Sequence, residues 1–179
     1  MSKLTATYAQ ALYDLAKAEN LADTIREELL AVRDIFRDQP EYLRLLSAPN
    51  VPKEERCGLL DGSLGGKVHS YVLNFLKILT EKGYIRHFAD CCKDYEALYD
   101  DDHGILPVQA VTAVTLTEDQ KARLVEKLQT ITGKTIRLSC KVDPDCLGGV
   151  RLFYDGKQVE GTVEGRLKAV RDVLMQTTL

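Results

Sequence analysis

An α+β chain is what this sequence predicts: a bundle of five or six helices followed by a small α/β domain. Three observations carry the expectation. Apolar residues recur at alternating spacings of three and four from Leu4 to Tyr99, which is the period of a helix with one buried face. Beyond Gly104 the period becomes the strict alternation of a strand. The chain then passes through turn, hairpin and helix-start signals in quick succession. The change of period places the domain boundary at 100–104, giving a bundle over 1–104 and an α/β domain over 105–179. No long Pro- or Ser-rich linker separates them.

Each element has its own justification. In the first helix Leu4, Tyr8, Ala11 and Leu15 share the main face, while Ala6, Ala9, Tyr13 and Ala16 lie off it. Leu21, Ile25, Leu29, Val32 and Phe36 make the stripe of the second. Pro40, Pro49 and Pro52 punctuate the next stretch and leave room for two short helices, 41–46 and 53–60. A proline such as Pro52 is tolerated at a first helical turn, where its missing N–H has no intrahelical partner anyway. The sharpest stripe is Val68, Tyr71, Val72, Phe75, Leu76 and Leu79, followed by Ile85, Phe88, Cys92, Tyr95 and Tyr99. Antiparallel helices with short links form a bundle. Residues 105–114 then read as a strand, and Thr117-x-x-Gln120 is a capping box opening a helix that Gly133 ends. Ile136, Leu138, Cys140 and Val142 alternate with Arg137, Ser139, Lys141 and Asp143, a half-buried strand. Asp155-Gly156 is a two-residue hairpin signal. Thr162 caps a last helix with Val163, Leu167, Val170 and Leu174 on one face.

Composition narrows the function. An apolar share of 45% suits a packed globular protein. With no Trp and four Phe, an aromatic-lined cofactor pocket is not expected. A net charge of −3 gives no reason to expect nucleic acid. Residues 1–104 carry 13 basic and 18 acidic side chains, whereas 133–179 carry 8 and 6, so the two ends are expected to meet different partners. The five cysteines, at 57, 91, 92, 140 and 146, have no metal-ligand spacing and read as reduced, structural thiols. Cys92 and Cys140 fall on apolar faces, where a thiol behaves as a small hydrophobe. No apolar run approaches the ~20 residues of a membrane span, and the N-terminus carries no leader signal. A soluble, untargeted protein is expected, either bacterial or the mature form of an organellar one.

No catalytic constellation emerges. The glycine-rich run 61–68 fails as a phosphate loop, because Asp61 replaces its first Gly and Val68 its Ser or Thr; an inter-helix loop is expected. Gly148-Gly149 precedes a strand and is read as a turn with positive φ. Asp100-Asp101-Asp102 lacks the Gly and Glu spacing of a calcium loop and reads as a solvated helix end. His69, His87 and His103 are scattered, as surface or helix-flank side chains. What remains is interaction surface. Leu73 and Ile78 lie well off the apolar stripe of their helix, so either that helix is central to the bundle or its far side accepts a partner. On residues alone the chain is an adaptor. The competing reading, a thiol enzyme using Cys91 or Cys92, lacks a neighbouring base or charge to lower a thiol pKa.

Three segments in order, DP-x-x-LGGV, the DGK hairpin and G-T-V-x-G-RL, resemble the C-terminal signature of the delta subunit of F-type ATP synthases, the oligomycin-sensitivity-conferring protein of mitochondria. They comprise Asp143, Pro144, Leu147, Gly148 and Gly149; then Asp155 and Gly156; then Gly161, Gly165, Arg166 and Leu167. Tyr8-Ala9-Gln10-Ala11-Leu12 is similar to that family's opening, and NFLKILTEKGY at 74–84 to its central segment, with Tyr84 in place of the usual Arg as a surface variation. The resemblance implies a stator part of a proton- or sodium-translocating synthase, without catalysis, cofactor or metal of its own. It implies that the first and fifth helices, 4–17 and 67–81, bind the amphipathic N-terminal segment of an alpha subunit. Tyr8, Ala11, Leu12, Leu15, Leu73 and Ile78 are the candidate contacts. The C-terminal domain would meet the C-terminal ends of the b subunits, with the signature residues maintaining that domain. One copy per complex is implied, peripheral and without membrane insertion, on the cytoplasmic face of a bacterial membrane or the matrix or stroma side of an organellar one.

Overall fold

The computed structural model describes residues 3–144, 149–154 and 156–160. The chain divides into two compact units, Met1–Tyr99 and Asp100–Leu179. The first is helical: α1 (Lys3–Ala18), α2 (Ala22–Asp38), α3 (Pro40–Leu46), α4 (Lys53–Leu64), α5 (Ser70–Glu81), a short 3-10 turn (Ile85–His87) and α6 (Phe88–Asp102), whose last turn belongs to the second unit. Local chemistry sets the breaks. Asn20 ends α1 in the left-handed region at φ 56°, and the Leu21 N–H then reaches back to the Ala16 carbonyl at 2.8 Å. Pro40 stands at the first turn of α3. His69 caps α5: its Nδ1 accepts from the Tyr71 N–H at 3.3 Å, while its own N–H donates to Glu28 Oε2 at 2.7 Å.

Four residues of the stripe predicted for α2, Ile25, Leu29, Val32 and Phe36, are buried, while Leu21 stands just before the helix and is half-buried. In α5, Val72, Phe75, Leu76 and Leu79 are buried and Tyr71 half-buried. Ile85, Phe88, Cys91, Cys92 and Tyr95 complete the core. Aromatic rings bind the centre together: Phe36 meets Phe88 edge-on at 5.3 Å, and Tyr13 meets Tyr95 at 5.2 Å.

Two expectations need correction here. The face of α1 that enters the core is Thr5, Ala9, Leu12, Tyr13 and Ala16, while Ala11 and Leu15 are exposed and Leu4 and Tyr8 half-buried. Both faces of this helix are apolar, so periodicity could not choose between them. The loop expected at 61–68 is also shorter, because α4 continues through Gly62 to Leu64. Leu60 and Leu64, one turn apart, are both buried and carry the helix across the glycine.

The second unit is a mixed four-stranded sheet of order β2-β1-β3-β4, from β1 (Ile105–Thr112), β2 (Thr135–Val142), β3 (Val150–Tyr154) and β4 (Lys157–Glu160). β1 runs parallel to β2, from Ile105 opposite Thr135 to Thr112 opposite Val142, so the connection needs a crossover helix. That helix is α7 (Glu118–Thr132). Both halves of its capping box form: the Gln120 N–H donates to Thr117 Oγ1 at 3.3 Å, and the Thr117 N–H donates to Gln120 Oε1 at 3.0 Å. Gly133 closes it at φ 66°. β3 is antiparallel to β1, and the β3–β4 hairpin pairs Arg151 with Glu160 and Tyr154 with Lys157.

β1 stops at Thr112, two residues short of the expected end, where the Thr112 hydroxyl donates to the Val114 carbonyl at 2.8 Å and turns the chain. β2 is an edge strand. Ile136 is buried and Leu138 half-buried, but Cys140 and Val142 are exposed, so the cover expected for its whole inner face reaches only the first half among the described residues. Asp100 is likewise not a solvated helix end. It is buried and ion-paired with Arg137 of β2, while Asp101 and Asp102 are exposed. A carboxylate at a helix C-terminus opposes the dipole, and the guanidinium offsets that penalty.

Candidate protein-binding interface

α1 and α5 lie antiparallel and are tied at both ends. At one end the Tyr71 hydroxyl meets the Glu19 carboxylate; loss of water and then the carboxylate push that phenol's pKa up. At the other the rings of Tyr8 and Tyr84 stand 6.3 Å apart, tilted by 54°. Between these ties runs the other apolar strip of α1, Leu4, Tyr8, Ala11 and Leu15, of which Tyr8 packs against the edge of the core and Leu15 is 43% exposed. Ile78 of α5 is 44% exposed and lies on the same flank of its helix as Tyr71, since seven residues are nearly two whole turns. The half-exposed aliphatic side chains of the two helices, with tyrosines at the ends, form a shallow apolar seam.

The other candidates fall elsewhere. Leu12 is 5% exposed and belongs to the core. Leu73 is half-buried on the opposite flank of α5, the side on which Lys77 pairs with Asp61 of α4 at 2.7 Å. Five residues are about 140° of helix, so Leu73 and Ile78 cannot share a face. Tyr84, read as surface variation, is half-buried and packs on Tyr8. It joins the end of the seam.

Two positioning residues escaped the sequence. Arg56 of α4 is buried, and its Nη1 donates to the Leu46 carbonyl at 3.0 Å and to the Thr80 carbonyl at 3.5 Å. One cation thereby holds the C-terminal ends of α3 and α5 together, where the helix dipoles are negative; the Thr80 carbonyl also accepts from the Gly83 N–H at 3.1 Å. The available signal was its place on the stripe Arg56, Leu60, Leu64, where a charge needs a partner. His69 as the cap of α5 had no signal beyond standing just before the helix.

The thiol-enzyme alternative meets a physical obstacle. Cys91 and Cys92 are both buried. Desolvation first, then Asp94 and Asp90, pushes the Cys91 thiol up to about 11, and desolvation pushes Cys92 still higher. Such thiols are poor nucleophiles at neutral pH. The shift has a stability consequence. Below the ordinary thiol pKa both folded and unfolded chains hold the proton and the contribution is intact. As pH rises through that value the unfolded chain loses its proton first, and by about pH 11 roughly 2–3 kcal/mol is lost from Cys91 alone. Denaturant unfolding of the wild type and Cys91→Ala at a series of alkaline pH values is the check. The variant should show the shallower decline, and parallel declines would contradict the assignment.

Of the signature residues, Asp143 donates its N–H to the Thr112 carbonyl at 2.9 Å, prolonging the β1–β2 pairing before Pro144 turns the chain. Gly149 has φ 91° and Gly156 φ 68°, values that side chains beyond glycine rarely adopt. Leu147, Gly148, Asp155, Gly161, Gly165, Arg166 and Leu167, and with them the expected last helix, lie outside the described residues. Among the described residues no group of three or more potential ligand side chains gathers as a metal site, and no helix is long and apolar enough to cross a membrane.

The described residues thus form a helical unit, with Leu15 and Ile78 among its half-exposed apolar side chains, followed along the chain by a mixed four-stranded sheet. The chain belongs to the ATP synthase delta (OSCP) subunit family, whose model matches residues 4–174. It is 31% identical over 167 residues to ATP synthase subunit delta of Alkaliphilus oremlandii, covering 93% of each chain. Over 175 residues it is 31% identical to that of Synechococcus sp. (strain PCC 6716), covering 97% of this chain and 95% of the other. Its fold is similar to a chain of the Toxoplasma gondii mitochondrial ATP synthase hexamer, with TM-score 0.78 at 20% identity, over 97% and 98% of the two chains. A chain of the Polytomella F-ATP synthase superposes on 55% of it with TM-score 0.51 at 25% identity, covering 88% of that chain.

Proposed function

We propose that the chain is the stator joint between the catalytic head and the peripheral stalk of its ATP synthase, and that it performs no chemistry itself. The α1–α5 seam takes the amphipathic N-terminal segment of an alpha subunit as a helix laid along Leu4, Tyr8, Ala11, Leu15 and Ile78. The second unit meets the C-terminal ends of the b subunits. Rotation of the central stalk drags on the head, and a joint bound at both ends opposes that torque. One copy per complex, held peripherally at the cytoplasmic, matrix or stroma face, suffices.

The observation that carries this reading is the second apolar face of α1, left outside the bundle's own core alongside Ile78. A bundle that needed no partner would place polar residues there. The ends of the seam are already tied by Tyr71–Glu19 and Tyr8–Tyr84, so the partner meets a site whose side chains are largely ordered, which lowers the cost of binding. Titration calorimetry of the full chain with a peptide of the alpha N-terminal segment from the same genome tests it. Saturable micromolar or tighter binding, with the negative heat-capacity change of apolar burial, is expected. No heat, together with no retention of the chain on the isolated alpha–beta head, would remove the proposal.

A further inference from the structure

The two ends of the α1–α5 seam differ in charge. Where α1 finishes, two exposed carboxylates stand on either side of Leu15. Glu19 lies four residues further on and continues the same strip, its N–H still reaching the Leu15 carbonyl at 3.3 Å. Asp14 lies one residue back, about 100° around the helix, on the flank away from α5. Their bonded partners are uncharged: Gln10 Nε2 donates to Asp14 at 2.7 Å, and the Tyr71 hydroxyl meets Glu19. A third carboxylate, Glu28, accepts the His69 N–H at the start of α5. Among the described residues no lysine or arginine pairs with any of the three, Lys67 just before α5 included. Lys17 projects from the far side of α1, since two residues beyond Leu15 are about 200° of helix. At the other end the seam closes on the neutral rings of Tyr8 and Tyr84. Lys82, close by in the chain, lines a concavity with Lys53 and Cys57 of α4 instead.

We propose, on the reading of the seam as the site of the alpha segment, that this difference sets the direction in which the bound helix lies. The occupant lays a turn bearing lysine or arginine against Asp14 and Glu19, and an uncharged turn against Tyr8 and Tyr84. An amphipathic helix reversed end for end still offers an apolar stripe to Leu15 and Ile78, so apolar contact alone chooses poorly between the two directions. Charge does choose. Covering Leu15 also takes water from the carboxylates beside it. A partner turn without a cation leaves two charges partly desolvated with only neutral donors, and an acidic turn adds repulsion. The wrong direction is thus penalised as well as the right one favoured, which is how related binding modes are told apart. Charges at the rim of an interface act chiefly on the rate of association and on its salt dependence.

The experiment takes the full chain and the alpha N-terminal peptide from the same genome, with affinity and association rate measured at low and high salt. Asp14→Asn and Glu19→Gln keep the oxygen acceptors that Gln10 and Tyr71 use, so melting temperatures should stay at the wild-type value. Each variant should weaken binding about threefold at low salt, the size of an exposed ion pair, chiefly through slower association. The double variant should lose about tenfold, and high salt should erase these differences. Glu118→Gln on α7, the same change of charge away from the seam, should bind as the wild type does. A nitroxide on the more basic end of the peptide should broaden the amides of Leu15 and Ala18, and one on the other end that of Tyr8. If the peptide binds but neither variant nor salt alters its affinity, or if its more basic end lies against Tyr8, the proposed direction is overturned and the seam stands. A peptide that does not bind the chain at all removes seam and direction together.

Discussion

Ile78→Asp is expected to weaken binding of the alpha N-terminal peptide by about 2 kcal/mol or more, some thirtyfold, while leaving the bundle folded. Ile78 is 44% exposed in the free chain, so a carboxylate there stays hydrated until a partner covers it. The cost then appears at binding, as a charge trapped against an apolar helix face. Tyr8→Asp should act in the same direction, with a small additional loss of stability from its contact with Tyr84. Phe75→Asp is the contrast. Phe75 is 6% exposed and its ring lies 6.4 Å from that of Phe88, so a carboxylate would enter the core and the domain should unfold. Peptide affinity and thermal melting of all three variants separate the roles. Normal binding by Ile78→Asp, or its unfolding as Phe75→Asp unfolds, would remove Ile78 from the seam.

Arg56→Met should have the second large effect, this time on stability. Methionine keeps much of the buried stem but leaves the Leu46 and Thr80 carbonyls without the donor that joins them. Hydrogen bonds from a charged group contribute about 1.5–3 kcal/mol each. Against this stands the cost of burying a guanidinium whose Nε has no partner. The Thr80 bond, at 3.5 Å, is the weaker of the two. The balance is a loss of roughly 2–3 kcal/mol, and for a unit of this size a fall in Tm on the order of 10–20 °C. Arg56→Lys should recover only part of the loss, since the shorter lysine must bring a compact, strongly hydrated ammonium to the place of Nη1, and that group costs more to bury. An unchanged melting temperature in Arg56→Met would mean that desolvation already cancels the clamp.

Local signals transferred well from sequence to structure. The α2 stripe, the Thr117 capping box, Gly133 and the β3–β4 hairpin each depend on residues within a few positions of one another. Where the reading failed, the deciding partner was distant in sequence. α1 is apolar on both flanks of its polar stripe Thr7, Gln10, Asp14 and Lys17, and only the packing of the other helices decides that Leu12 and Tyr13 go inward and Leu15 outward. Asp100 looked solvated because Arg137 sits on a strand far downstream. Arg56 and His69 act on carbonyls and carboxylates of other helices, which no spacing rule reaches. The seam was legible in part: Ile78 stood out as an apolar residue its own stripe did not need, and Leu73 stood out for the same reason but faces α4. The signature that suggested the family lies largely in residues 143–167, whereas the seam lies at the other end of the chain, so family and interface rest on separate stretches.

The open strip of α1 also bears on supply. Leu15 and Ile78 face water in any copy that has not met its partner, and an uncovered apolar surface seeks the nearest match. When synthesis of this chain outpaces that of the rest of the complex, the nearest match is the same strip on another copy. The surplus then pairs with itself or is captured by chaperones and proteases. On the proposed role of the seam, copies made in excess of their partners are expected to self-associate, and sedimentation of the isolated chain at rising concentration would show it.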